Sequence, residues 1–137
     1  MTAVNDFNRD LIEQFRANDG KVEGGFAGAP LLLLTTTGAK TGRRHTTPLV
    51  YLKDGERVVV FGSKGGAPSH PAWFHNLVAN PGVTVEVPGE TFEAEAVVIE
   101  GAERDRLFAA QKSVMPTFGD YEAKTDRVIP AIVLERR

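Results

Sequence analysis

The densest chemistry in the chain lies in TTTGAKTGRRHTTPLVY, residues 35–51. Gly38 and Gly42 stand four positions apart, and Lys40, Arg43, Arg44 and His45 fall within six residues. Glycines let backbone N–H groups turn toward an anion, arginine offers a planar fork, and lysine a point charge. The pattern suits a phosphate or a carboxylate. It is not a nucleotide P-loop, which needs four residues between its glycines, then Lys-Ser/Thr, then a helix. Here strand-like sequence follows instead. A polar hairpin turn with solvated cations is the competing reading.

Ser63-Lys64-Gly65-Gly66 has the same character and also follows a strand-like run. Alone it reads as a plain loop. The first and third loops of consecutive antiparallel strands can share one end of a sheet, so two cationic loops could converge on one anion.

His70-Pro71-Ala72-Trp73-Phe74-His75-Asn76 mixes imidazoles, aromatics and an amide. The histidines sit at i and i+5, poor helical spacing for chelation, and no carboxylates cluster beside them. No metal site is expected. Trp73 and Asn76 suit a wall for a planar ring, by packing and by hydrogen bonding. The competing reading makes Trp73 and Phe74 core and Asn76 a cap for local backbone. Phe118 and Tyr121 lie in PTFGDYEAKTDR. A phenol can donate to a developing oxyanion, whereas a Tyr lying over a loop does nothing chemical. With no cysteine, no G-x-S-x-G and no carboxylate pair near either loop, nucleophilic hydrolysis and glycosidase chemistry are unsupported.

The elements that must position these residues follow from periodicity. Phe7, Leu11, Ile12 and Phe15 recur at helical spacing, which predicts a helix over about 6–18 with Asp6 as its cap and Gly20 as its stop. GKVEGGFAGAP is a glycine-rich connector. PLLLLTTT reads as a strand buried on both faces. TTPLVYLKD and ERVVVFGS flank Asp54-Gly55, a hairpin signal. PAWFHNLVAN is a short helix with Trp73, Leu77 and Val78 on one face. VTVEV and TFEAEAVVI pair across Pro88-Gly89. AERDRLFAAQKSVM is a helix with Leu107, Phe108 and Met115 inward, and DRVIPAIVLERR a last strand whose Pro130 favours an edge or bulge. About six strands joined by hairpins favour a mostly antiparallel sheet, most economically a small barrel with peripheral helices. The βαβ alternation of a Rossmann fold is missing.

A chain of 137 residues suggests one domain, and its formal net charge of −2 argues against bulk nucleic-acid binding. Any anion site must be local. The longest apolar run, residues 30–34, is far short of the roughly 20 residues of a membrane span. No secretory signal is read at the N-terminus, and the lack of cysteine is compatible with a reducing cytoplasm.

The ordered set LLLLTTTGAKTG, TTPLVYL, SKGGAPSHPAWFHNLVANP and YEAKTDRVIP resembles the deazaflavin (coenzyme F420)-dependent nitroreductase and F420H2-dependent quinone reductase family, actinobacterial enzymes. The likeness runs from Phe15 to Leu134. It implies a split β-barrel like that of FMN-binding reductases, and a coenzyme whose phosphodiester and polyglutamate tail would explain the anion site. By matched position, Ala39, Lys40 and Thr41 would hold the phosphate end. His45, Thr46, Thr47, Pro48, Leu49 and Val50 would run along the coenzyme. Phe61, Gly62, Ser63 and Lys64 would supply the second loop. Ala72, Trp73, Phe74, His75 and Asn76 would line the ring region. Arg43 and Arg44 lie outside that match and are added as partners for the tail. Relatives commonly carry a basic residue at Ala39 and at His45, and a tyrosine at Phe118. Phe118 lacks that hydroxyl, which leaves Tyr121 as the nearest phenol in sequence.

The activity implied is hydride transfer from the reduced deazaflavin to a small-molecule acceptor: a quinone, a nitro-aromatic or an activated enone. Ser63 or Tyr121 would stabilise the developing oxyanion. Quinone use would bring a cytoplasmic protein to the inner face of the membrane. Three alternatives stay open: an FMN reductase on the same barrel, a non-catalytic F420 carrier, and an interaction barrel with an acidic partner.

Overall fold

The chain runs α1 (Ala3–Ala17), β1 (Leu31–Thr37), β2 (Arg44–Val50), β3 (Leu52–Asp54), β4 (Arg57–Phe61), α2 (Ala72–Ala79), β5 (Gly82–Val87), β6 (Glu90–Ile99), α3 (Gly101–Val114), α4 (Thr117–Ala123) and β7 (Ala131–Arg136). This is a computed structural model that describes residues 3–18, 20 and 30–137, with side chains from residue 8 on. The connector at 21–29 and the Phe7 side chain lie outside the described residues.

Seven strands among the described residues form one antiparallel sheet in the order β2-β1-β5-β6-β7-β4-β3. The two ends of that order are separated in the chain by Tyr51 alone. One bent segment therefore pairs with β1 through its first half and with β4 through its second, and the sheet curls into a split barrel. The bend also explains why seven strands appear where six were predicted. The Tyr51 N–H keeps the β1–β2 register and donates to the Pro30 carbonyl at 3.0 Å, but Pro30 has no N–H to return, so the ladder ends there and TTPLVYLKD divides in two. Asp54-Gly55 and Pro88-Gly89 make the expected hairpins, with Asp54 opposite Arg57 and Val87 opposite Glu90. Gly55 and Gly89 both take the positive φ that such tight turns require.

Strand alternation sorts the core. Leu32 and Leu34 of β1 point into the barrel with Val60, Val83, Val85, Ile132 and Leu134, and α2 plugs one end with Trp73 and Leu77. Leu31 and Leu33 point outward beneath Phe15 and Ile12 of α1. Both faces of β1 are thus buried, as a continuous apolar run requires. The outer face of β4 and β7 packs on Leu107 and Phe108 of α3 and Phe118 of α4. Each fully buried Leu or Phe contributes about 1.5–3 kcal/mol.

Several expectations are corrected. The first helix begins at Ala3, so Asp6 lies inside it and is not its cap. Val78 is 56% exposed, because the barrel end takes only the Trp73 and Leu77 stripe of α2. PTFGDYEAKTDR contains a helix, α4, in a segment to which periodicity assigned no element. β7 is interior, between β6 and β4, and Pro130 stands just ahead of it, where its missing N–H costs no ladder bond. Among the described residues no helix is long and apolar enough to cross a membrane.

An ionic cluster ties the β3–β4 hairpin to α3. Arg57 donates to Asp54 and Glu103, and Arg106 donates to the same two carboxylates. Hydrogen bonds from Arg106 and then Arg57 hold the Asp54 and Glu103 pKa values at about 2. Unfolded carboxylates titrate near ~4. The folded values are lower, so this contribution is complete above the unfolded pKa and is lost as pH falls through the folded one. We expect the melting temperature of the wild type to drop between pH 5 and pH 2, roughly the window these shifts set. The drop should be smaller in Arg106→Ala. Equal acid sensitivity of the two proteins would remove the cluster from the account.

Candidate functional site

A cavity of about 970 Å³ opens along β2. The β1–β2 turn contributes Gly38, Ala39, Lys40 and Thr41, β2 contributes His45, Thr46 and Thr47, and α2 contributes Ala72, Trp73, His75 and Asn76. The fourth wall is α1, through Asn8, Arg9 and Ile12. Thr46 pairs with Thr35 on the outer face of the sheet, while His45 and Thr47 point the other way. A cavity that touches both faces of one strand must wrap its edge. β2 supplies that edge, since β1 is its only strand partner among the described residues.

The turn is shaped by local bonds. The Gly38 N–H donates to the Arg43 carbonyl at 2.7 Å, and the Gly42 N–H to the Gly38 carbonyl at 3.0 Å. The Arg43 N–H donates to Thr41 Oγ1 at 3.2 Å. A Cβ at position 38 would come within 2.7 Å of Thr41 Oγ1 and 3.2 Å of His45 Nε2, so any larger residue would have to displace the Thr41 side chain. Asn76 then fastens the turn to α2. Its Oδ1 accepts from the Ala39 N–H at 3.1 Å, and its Nδ2 donates to Thr36 Oγ1 at 3.3 Å. Both polar ends of Asn76 are taken by the protein, though by a turn 37 residues earlier and a threonine of β1 rather than by the local backbone of the capping reading.

What remains is an anion-seeking set. Among the described residues, the N–H groups of Lys40 and Thr41 and the side chains of Lys40 and Arg43 make no hydrogen bond or ion pair. Convergent N–H groups beside a cation are how a loop holds a phosphate without a metal. Among the described residues no group of three or more His, Cys, Asp or Glu is placed to hold a metal.

The other sequence-predicted residues lie elsewhere. Arg44 points to the outer face of the sheet, donating to Thr84 Oγ1 at 2.6 Å and Thr37 Oγ1 at 3.4 Å, and Arg43 does not line the cavity. Pro48, Leu49 and Val50 continue β2 beyond the cavity. Leu49 packs against the barrel core and Val50 against the α1 cluster. Phe61 is buried between Phe108 and Phe118, at 5.6 and 6.1 Å between ring centroids. Phe74 packs on the barrel core. Gly62, Ser63 and Lys64 sit in a separate turn that does not line the cavity, so the two cationic loops do not meet there. Ser63 is buried, and Lys64 Nζ donates to Ser69 Oγ at 3.4 Å. Tyr121 packs edge-on against buried Phe118, at 5.3 Å, on the α4 side.

Sequence reading missed Asn8 and Arg9. They occupy the polar side of an amphipathic helix, which reads as a solvated face. It also missed Arg127. That guanidinium donates to His70 Nδ1 at 2.9 Å. Burial first, then the charges of Arg127 and His75, lowers the His70 pKa.

Replacing Asn76 with Ala leaves the Ala39 N–H and the Thr36 hydroxyl without their partner. We expect a stability loss of about 1–2 kcal/mol in urea unfolding, with faster amide exchange at Ala39. Unchanged exchange at Ala39 would show that the tie does not hold the turn.

Comparison with known proteins gives the family and the fold. Residues 7–136 match the family described as F420H(2)-dependent quinone reductase. An F420H2-dependent quinone reductase of Mycobacterium tuberculosis is 39% identical over 127 residues, covering 90% of this chain and 85% of that protein. A solved F420-H2-dependent reductase, FDR-A, superposes with a TM-score of 0.71 at 36% identity, over 77% of this chain and 94% of that one. A structure described as a domain-swapped dimer gives 0.73 at 32% identity, over 97% of this chain and all of that one. The haem storage protein HutZ of Vibrio cholerae, at 17% identity and a TM-score of 0.61, shares the fold alone. The chain therefore belongs to the F420H2-dependent quinone reductase family and is a deazaflavin-dependent oxidoreductase.

Proposed function

We propose that this chain reduces a quinone-type acceptor with coenzyme F420H2 bound along the β2 edge. The observation that carries the reading is the cavity itself. It brings together the Lys40 ammonium, the N–H groups of Lys40 and Thr41, and the Trp73 side chain of α2. The residues present fit the coenzyme, because Lys40 and the Lys40 and Thr41 amides suit a phosphodiester that arrives without a metal ion. When bound, the reduced deazaflavin supplies a hydride.

The chain's own residues do the rest. Lys40 and Thr41 hold the anionic end and set its register along β2. Trp73 and Ala72 give a flat apolar wall that orients a planar ring. Ile12 and Asn8 of α1 cover the outer side and keep water from the reacting faces. His45 and His75 are the imidazoles in the cavity wall and can exchange the proton that quinone reduction consumes. This assigns to them the task that sequence reading gave to Ser63 and Tyr121. Nitro-aromatics and activated enones are electron-poor in the same way and are further candidate acceptors.

The test is spectroscopic. Mixing the protein with reduced coenzyme and menadione under anaerobic conditions should bleach the reduced absorbance and restore the oxidised band. Trp73 is the chain's single tryptophan, so coenzyme binding should quench intrinsic fluorescence. Binding without oxidation across a panel of quinones would favour a carrier. Quenching by FMN and not by deazaflavin would favour a flavin reductase.

A further inference from the structure

We propose that Arg127 is a positioning residue for this site: it clamps the turn after β4 and, through His70, sets the α2 side of the cavity. The inference rests on the coenzyme reading above. Arg127 lies between α4 and β7, and its partners precede it by 57 to 65 residues. Its Nη1 donates to the Gly62 carbonyl at 2.9 Å, Nη2 to the Ser63 carbonyl at 2.8 Å, and Nε to the Ala67 carbonyl at 2.9 Å. Nη1 also donates to His70 Nδ1 at 2.9 Å. A planar guanidinium has the fixed fork of donors that such a set of acceptors needs, and a lysine ammonium does not. No carboxylate pairs with Arg127 among the described residues.

The turn needs a clamp. Lys64 has φ of 46°, a left-handed conformation that a side-chain-bearing residue keeps only when its surroundings impose it. Gly66 has φ of 82°, and a Cβ there would approach the Tyr121 carbonyl to 2.7 Å, so α4 presses directly on the turn. Clamp and wall are connected by packing. A donor that stays charged occupies His70 Nδ1, which leaves the ring proton on Nε2. The His70 ring lies 4.7 Å from Phe74 and 6.0 Å from His75, and His75 lines the cavity. Arg127 and His75 are the charged and titratable groups that face His70.

The experiment uses Arg127→Gln, with Arg127→Lys as a variant that keeps the charge without the fork. Three readouts are made on each: the proton NMR titration of His70, amide exchange at Gly66 and Ala67, and Trp73 quenching by oxidised coenzyme F420. In Arg127→Gln we expect the His70 pKa to rise toward its ordinary value and exchange at both amides to quicken. Loosening the site by about 1 Å should lower kcat/KM with F420H2 and menadione on the order of 100-fold. Arg127→Lys should restore part of the His70 shift while kcat/KM stays low. If Arg127→Gln does not fold, Arg127→Lys decides on exchange and kcat/KM alone. A folded variant with wild-type exchange, His70 titration and kcat/KM overturns the proposal. Fast exchange and a shifted His70 with unaltered coenzyme binding and turnover overturn it too, because the clamp would then be structural only. A wild type that fails to bind the coenzyme overturns the functional reading instead, and the exchange and titration arms still report whether the clamp exists.

Discussion

Lys40→Glu is expected to raise the KM for F420H2 on the order of 100-fold. Hydrogen bonds to charged groups contribute about 1.5–3 kcal/mol, roughly a factor of 10 to 150 in affinity, and reversing the charge adds repulsion of the phosphodiester. Lys40 is exposed and makes no bond to the rest of the described protein, so the substitution should leave unfolding within about 0.5 kcal/mol of wild type. Loss of binding without loss of stability marks a ligand contact. Wild-type coenzyme affinity should also weaken with salt, as screened charge pairs do. Arg44→Ala is the contrasting case. Its guanidinium is engaged with Thr84 and Thr37 on the outer face, so the KM should change little. If Arg44→Ala weakens binding and Lys40→Glu does not, the phosphate end lies on the other face of β2 and the site is misassigned.

Trp73→Ala should be the most damaging single truncation in the site. Trp73 is 7% exposed and packs in the barrel core with Leu77 and Leu34, yet part of its ring lines the cavity. Core and wall are one side chain here, and the two sequence readings are not exclusive. Truncating a buried Trp to Ala costs about 3–5 kcal/mol, a large part of the stability of a domain this size. Trp73→Phe keeps most of the packing and should lose much less. Because the only tryptophan is removed, unfolding has to be followed by circular dichroism. We expect the Ala variant to lose coenzyme affinity even at temperatures where it stays folded. A folded Trp73→Ala protein with wild-type affinity would make Trp73 core alone.

His70 sets an expectation for stability against pH. Its pKa is depressed in the folded protein, so the unfolded chain binds the proton first as pH falls through about 6.5. Folding should weaken below that value and show no His70 contribution above it. The trend should be absent in His70→Asn, and its persistence there would assign it to another group.

Much of the architecture was legible because its causes are local. Asp54-Gly55 and Pro88-Gly89 demand tight hairpins whatever surrounds them, and the run Leu31 to Leu34 demands burial on two faces. Motif order identified the family, and the glycine-lysine turn could be proposed as an anion site because backbone freedom and charge are properties of the residues themselves. The destinations of side chains were not legible. Arg43 and Arg44 are neighbours in the chain, and strand alternation together with the pairing of Thr37 opposite Arg44 sent Arg44 to the outer face. Asn76 reaches the turn 37 residues earlier, and Arg127 reaches carbonyls some 60 residues earlier. Asn8 and Arg9 join the cavity only because α1 docks beside the β2 edge. Sequence alone determined the family, the hairpin turns and most of the elements, and it pointed to the turn proposed to hold the anion. Tertiary structure decided which cation faces the cavity and what holds its walls, because those outcomes depend on register and on contacts between residues far apart in the chain.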